Sequence, residues 1–261
     1  MHNFRASIKF ILFVSFTILC LLIGGFTYRI SVPTHEKLLK FYFNFVLKIF
    51  GVKVHEQGFE NLPDDSVLYV SNHTSYLDII VLGSKISARY TPKIEVSKWP
   101  IINVLVNLSL PVYIQRDALR SLEQKETIQD IIKSGDSIVL FPEGTTNDGT
   151  KVLPFKTSLF SVAEPNLDEE TSTRDDDKNI CVQPISIVYT KIDGMPADAK
   201  NLDKIAWYGD MKFLPHFWNL LGVKGAEVKL IYHQGVKFSD FGCRKELSKH
   251  CENVINEGFS S

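Results

Sequence analysis

"VLYVSNHTSYLDIIVLG", residues 67–83, decides the fold. An apolar, β-branched run at 67–71 stops at Asn72, a polar turn follows, and a second apolar run begins at Leu77. Ser75 or Thr74 is placed to cap the start of a helix there. A strand that ends in a turn opening a helix is the building unit of a layered α/β domain. The same reading extends outward. "SIVLF" (137–141), "CVQPISIVY" (181–189) and "VKLIYH" (228–233) read as strands, all but the last mostly apolar. "ALRSLEQKETIQDIIKSG" (118–135) carries Leu119, Leu122, Ile128, Ile131 and Ile132 near helical period, with Gly135 as its stop. The fold class expected is α/β: a mostly buried mixed sheet flanked by helices.

Ahead of this domain the chain is apolar. Residues 10–28, "FILFVSFTILCLLIGGFTY", carry no charge. At about 1.5 Å per residue such a helix matches the ~30 Å hydrocarbon core of a bilayer, and it either spans the bilayer or enters it deeply. Arg5 and Lys9 make a cleaved signal peptide the rival reading, but the run is long and no A-x-A-like site follows it. Next, "THEKLLKFYFNFVLKIFG" (34–51) places Leu38, Leu39, Tyr42, Phe45, Val46 and Ile49 at helical spacing, with Thr34 as start and Gly51 as end. This helix faces either a core or, with its lysines and aromatics, a membrane interface. The expected division is a membrane-anchoring segment over 1–50, made of helices 10–28 and 34–50, and a catalytic domain over 51–261.

The bulk composition agrees. At 261 residues, 44% hydrophobic and 23% charged, the chain is long enough for one large folded domain. The net charge of −1 hides a local excess: residues 1–60 hold seven Lys/Arg against three Glu, +4 in all. Beside apolar sequence this excess suits an anionic membrane surface, and no motif points to nucleic acid. The four cysteines, Cys20, Cys181, Cys243 and Cys251, show neither a C-x-x-C pair nor ligand-like spacing with histidine. A reducing compartment is expected, with no metal site. The polar stretch 164–178 reads as a solvated loop.

The chemistry centres on His73 and Asp78. A carboxylate that holds one imidazole nitrogen leaves the other to take a proton from a hydroxyl. Five helical steps rotate a side chain by roughly 140°, so the two converge only if His73 sits in the turn and Asp78 in the first turn of the helix. Alone, the pattern is weak, and His73 as a mere turn residue is the plainer reading. Asn72-His73-Thr74 also fits a glycosylation sequon. A second strand end, "FPEGTTNDG" (141–149), turns sharply through Pro142 and Gly144 and presents Glu143 and Thr145. Its backbone N–H groups are candidates for holding an oxygen anion. An ordinary β-turn is the alternative there.

Together these stretches resemble the glycerolipid acyltransferase family typified by 1-acyl-glycerol-3-phosphate acyltransferase. "NHTSYLD" is similar to its N-H-x-x-x-x-D block. "KIEVSKWP" (93–100) with "LPVYIQR" (110–116) is similar to the second block, "FPEGTTND" to the F-P-E-G-T block, and "VQPISI" to the last. The resemblance covers roughly residues 50–190. It implies a catalytic pair in His73 and Asp78, an acceptor phosphate on Arg116 with charge from Lys93 or Lys98, acceptor contacts at Glu143, Gly144 and Thr145, and a wall shaped by Pro184. It implies acyl transfer from acyl-CoA or acyl carrier protein to a lysolipid hydroxyl, with no cofactor and no metal. The first acceptor expected is 1-acyl-glycerol-3-phosphate. The enzyme would sit on a bacterial inner membrane with its site toward the cytoplasm. Two positions depart from the pattern: Thr146 stands where members often carry Arg, and Asn103 where Gly is common. "IAWYGDMKFLPHFWNLLG" (205–222) is similar to a bacterial subgroup that includes lyso-ornithine lipid acyltransferases, which makes that lipid the alternative acceptor. A lysophospholipase or thioesterase using Ser71 or Ser75, without a G-x-S-x-G elbow, and an inactive lipid-binding module are the readings from other classes.

Overall fold

The protein is described from a computed structural model that covers residues 1–30, 32–63, 65–92, 111–113, 122–165 and 180–260. Helices α1 (His2–Ile30) and α2 (Val32–Phe50) lead into strand β1 (Val52–Gln57). Strand β2 (Leu68–Ser71) and helix α3 (Leu77–Gly83) follow, then strand β3 (Arg89–Tyr90), helix α4 (Leu122–Lys133) and strand β4 (Ile138–Leu140). The chain continues with the long strand β5 (Cys181–Ile192), β6 (Met195–Pro196), helix α5 (Phe213–Gly222), strands β7 (Ala226–Tyr232) and β8 (Val236–Lys237), and helix α6 (Arg244–Glu257).

One mixed sheet forms in the order β1-β7-β5-β2-β4-β3, with β6 and β8 paired to β5. β2 runs parallel to both neighbours, β4 and β5, whereas β5 and β7 are antiparallel. Alternation along the strands sends side chains to two cores. Leu68, Val70, Ile138, Leu140 and Val182 face α4 and α6, while Tyr69, Val139, Ile185, Ile187 and Tyr189 face α2, α3 and α5. A sheet covered on both faces accounts for the continuous apolar runs read from the sequence. β1 escaped that reading because "VKVHEQ" is charged and, among the described strands, lies at the sheet edge with β7 as its partner.

The two N-terminal helices differ from expectation in extent. α1 begins at His2 rather than Phe10, because its cations have protein partners. Arg5 Nη1 donates to Gly222 O (2.6 Å), and Lys9 Nζ donates to Phe50 O (2.7 Å) and Val223 O (2.8 Å). Those carbonyls close the C-terminal ends of α2 and α5, where a cation is favoured. α2 starts at Val32, with Pro33 in its first turn, where a missing N–H costs nothing. Its inward stripe is also turned from the one expected. Tyr42, Phe43, Val46, Leu47 and Phe50 are buried, and Phe41 and Phe45 face outward. Gly51 ends the helix at φ +76, and a Cβ there would lie 2.7 Å from Lys224 O. Ala6, Phe13 and Cys20 of α1 share one core with α2, α3 and α5.

Ring contacts continue from α1 to the turn between β2 and α3. Phe10 meets Trp218, Phe13 meets Phe217, and Phe213 meets Tyr76 at 5.1 Å between centroids. Opposite this seam α1 and α2 leave an apolar face open, including Ile11, Ile18, Leu22 and Phe41, and Leu214 of α5 is exposed as well. Residues 2–23 form the one helix among those described that is long and apolar enough to cross a membrane. All four cysteines are free.

Candidate active site

Parallel pairing of β2 with β4 brings two turns side by side at the C-terminal ends of the strands, where open α/β sheets hold their ligands. The first turn carries His73. Asp78 follows in the opening turn of α3, and His73 Nδ1 lies 2.9 Å from Asp78 Oδ2. The pair therefore converges as the spacing argument requires. The same Oδ2 accepts the backbone N–H of Thr74 (2.7 Å) and of Ser75 (2.9 Å), so the carboxylate shapes the turn as well as holding the ring. Ser75 Oγ accepts the N–H of Leu77 at a long 3.3 Å, and Asp78, inside the helix, binds the turn ahead of it rather than capping its first N–H groups.

With Nδ1–H donated to Asp78, Nε2 is left as an acceptor, which is the tautomer a general base needs. No described residue bonds to Nε2. The imidazole stacks on Phe141 at 3.9 Å between centroids and 13° between planes. Its side chain is 13% exposed, whereas Asp78 has no exposure. His73 is thus partly reachable from solvent, and Asp78 is not.

Glu143 is not presented to solvent as the sequence suggested. It is buried, Oε1 accepts the N–H of His73 (2.7 Å), and Oε2 accepts the N–H of Leu153 (3.0 Å) and the Asn147 side-chain amide. Asn147 N returns a bond to His73 O (3.0 Å). Burial pushes the Glu143 carboxyl up to about 7, against the pull of those three donors. Its acceptor capacity is spent on the fold, so its place is a brace between the two turns. Gly144 is buried at φ +74, and a Cβ there would meet Lys156 Cε at 2.7 Å and Nζ at 2.8 Å. Lys156 is itself held to this turn, its N–H bonding Pro142 O (2.9 Å), and its exposed ammonium lies across the glycine. Thr145 is exposed and free to touch a ligand; Thr146 is half-buried.

Pro184 is buried within β5 opposite Val70 and belongs to the sheet rather than to an open wall. Arg116, Lys93 and Lys98, with Asn103, lie outside the described residues. Two contacts with β5 escaped the sequence reading. Asn72, fully buried, donates Nδ2 to Ile187 O (2.9 Å) and accepts Ile187 N–H on Oδ1 (2.8 Å). Both ends of its amide are used, so the sequon is a structural clasp and not a glycan site. Tyr189 OH donates to Asp78 Oδ1 at 2.6 Å. The signal for it was an aromatic with a polar tip closing an otherwise apolar strand.

Neither Ser71 nor Ser75 is placed as a nucleophile on His73: Ser71 is buried, its Oγ without a partner among the described residues, and Ser75 is buried as well. A second serine–histidine contact, Ser186 Oγ to His233 Nε2 at 2.7 Å, is also closed to substrate: Ser186 is fully buried and donates to Ile255 O (2.8 Å). It fastens α6 to the sheet. Among the described residues no group of His, Cys, Asp and Glu could hold a metal ion.

Known proteins resemble the chain in sequence and in fold. The family model for acyltransferases matches residues 52–188, more than half of the chain. The chain belongs to the acyltransferase family. It is an O-acyltransferase, and named relatives agree with that class. A lyso-ornithine lipid O-acyltransferase of Brucella abortus is 32% identical over 84% of this chain and 80% of its own length. Another of Rhizobium meliloti is 34% identical over 76% of this chain and 65% of that protein. A 1-acyl-sn-glycerol-3-phosphate acyltransferase of Neisseria gonorrhoeae is 30% identical over 38% of the chain and 39% of that protein. The fold is that of the acyltransferase PlsC from Thermotoga maritima, with a TM-score of 0.72 at 22% identity, covering 100% of this chain and 97% of the other.

Proposed function

We propose that this enzyme transfers a fatty acyl group from a thioester, acyl carrier protein or acyl-CoA, to the free hydroxyl of a lysolipid, with lyso-ornithine lipid as the preferred acceptor. The observation that carries the reaction is the His73–Asp78 pair, whose imidazole is 13% exposed and whose Nε2 is bonded by no described residue. His73 Nε2 takes the hydroxyl proton as the oxygen attacks the thioester carbonyl carbon. The tetrahedral intermediate collapses, the C–S bond breaks, and the imidazolium returns the proton to the leaving thiolate. Ester and free thiol form in equal amounts, and the base is regenerated without an acyl-enzyme. Asp78 stabilises the charged ring between these steps. Backbone N–H groups near Gly144 and Thr145 are the candidates for the oxyanion.

Acceptor choice rests on charge. Thr146 in place of arginine removes one fixed cation from the F-P-E-G-T turn, which disfavours a doubly charged phosphomonoester more than a carboxylate. Lys156 supplies a single ammonium beside Gly144 for the acceptor's anion, together with Arg116. In sequence, the lyso-ornithine lipid acyltransferase of Brucella abortus matches 84% of the chain and the glycerophosphate acyltransferase of Neisseria gonorrhoeae 38%. Exposed apolar residues of α1, α2 and α5 seat the enzyme in a membrane that supplies the acceptor. Thioester donors are cytosolic, so the site faces the cytoplasm. Purified enzyme in vesicles, offered lyso-ornithine lipid or lysophosphatidate with either donor, tests this assignment. Preferential conversion of lyso-ornithine lipid is expected, and preference for lysophosphatidate would reverse the acceptor.

A further inference from the structure

We propose that Tyr189 is a positioning residue for the reaction, acting through Asp78 on His73. This rests on the acyl-transfer reading above. Asp78 is a fully buried carboxylate whose two oxygens are used unequally. Oδ2 takes three N–H donors, from His73, Thr74 and Ser75. Oδ1 takes the Tyr189 hydroxyl, at 2.6 Å. Burial, with the Asp78 carboxylate beside it, holds the Tyr189 phenol well above its ordinary pKa, so it stays a donor throughout the working range. Charge-assisted bonds of this length are the strong ones.

The bond also sets geometry. β5 grips the catalytic turn twice, through the Ile187 backbone on Asn72 and through Tyr189 on Asp78, two residues apart along one strand. The first grip fixes the residue before His73. The second stops the Asp78 carboxylate from rotating away from the ring. Without the hydroxyl, Oδ1 becomes a buried, unpartnered carboxylate oxygen. The His73–Asp78 pair then holds its proton more tightly, whichever residue carries it. The other titratable groups around the pair are Glu143, which bonds His73 N, and Tyr76, on the turn itself. Neither donates to Asp78.

The test uses the full chain in vesicles. Tyr189→Phe keeps the ring and its packing and removes the donor alone. The expected result is a fall in kcat of about 10- to 100-fold, the size of losing one buried charged hydrogen bond, with KM for both substrates within twofold. The acid limb of the kcat profile should move to higher pH. In a His73→Ala background the same substitution should change the residual rate by less than twofold, because there is no base left to position. Replacing Tyr189 alone by 3-fluorotyrosine strengthens the donor without removing it, and the acid limb should move to lower pH. This second variant decides the matter if Y189F does not fold.

An unchanged kcat in Y189F, an equal loss with and without His73, or an acid limb unmoved in both variants would overturn the role. These outcomes are separate from failure of the acyl-transfer reading, which would appear as a wild-type enzyme that acylates no lysolipid at all.

Discussion

The turns after β2 and β4 are neighbours with the same topology, yet they divide the work. The first leaves its histidine partly accessible and buries its acid, and the second buries its acid and exposes a threonine. Asp78 holds the His73 ring, whereas Glu143 ties the His73 backbone to the adjacent strand end. Two carboxylates a few residues beyond parallel strands therefore have different fates, decided by what donates to them. The comparison teaches that a motif letter names a position, and that burial and partners decide whether the position reacts or supports.

The largest effect should separate the two turns outright. His73→Ala removes the base and should lower kcat by about 10²–10⁴-fold with the fold intact, measured as initial acylation rate in vesicles. A loss below tenfold would place the base elsewhere. Asn72→Ala tests the clasp beneath it. It leaves Ile187 N–H and C=O without partners in a buried place, costing about 2–4 kcal/mol of stability. The measure is the unfolding midpoint in detergent, and an unshifted midpoint would show that the clasp is dispensable.

Glu143 should declare itself through pH. Its carboxyl is raised from 4.5 to about 7 in the fold, so the protonated form is favoured there. This group's contribution is greatest below pH ~4.5 and is lost as pH rises through about 7, by on the order of 3 kcal/mol. Glu143→Gln cannot ionise, so its stability, lower overall, should be flat across that window. A wild-type curve parallel to that of the variant would remove Glu143 as the source. Lys156→Gln should give the smallest change, a severalfold rise in acceptor KM with kcat near normal; an unchanged KM would exclude the ammonium from acceptor binding.

The same contrast explains what the sequence made legible. Apolar runs ending in Asn72 and Pro142 announce buried strands, and the two turns follow from them by the short-range rules of strand and helix ends. The convergence of His73 and Asp78 was readable because both lie within one turn-and-helix unit. The roles of Glu143 and Tyr189 depend on partners 70 and 111 residues away in sequence, and no local period records that. Arg5 and Lys9 fall outside the expected helix for a similar reason: as a string they only flank an apolar run, but folding carries them to the carbonyls of Gly222 and Val223, more than two hundred residues on. The stripe of α2 was misjudged because two neighbours, α1 and α3, bury it from different sides.

Direct transfer between thioester and hydroxyl, with His73 as base and no serine intermediate, is the proposed step on which the rest depends. The measurement that reaches it is product stoichiometry in a single reaction: wild-type enzyme in vesicles, labelled acyl carrier protein and lyso-ornithine lipid, with free thiol, diacylated lipid and free fatty acid quantified together. The account predicts one thiol released per ester formed, little free fatty acid, and no thiol release above background when the acceptor is omitted. Fatty acid in place of the ester, or a burst of thiol without acceptor, would contradict it.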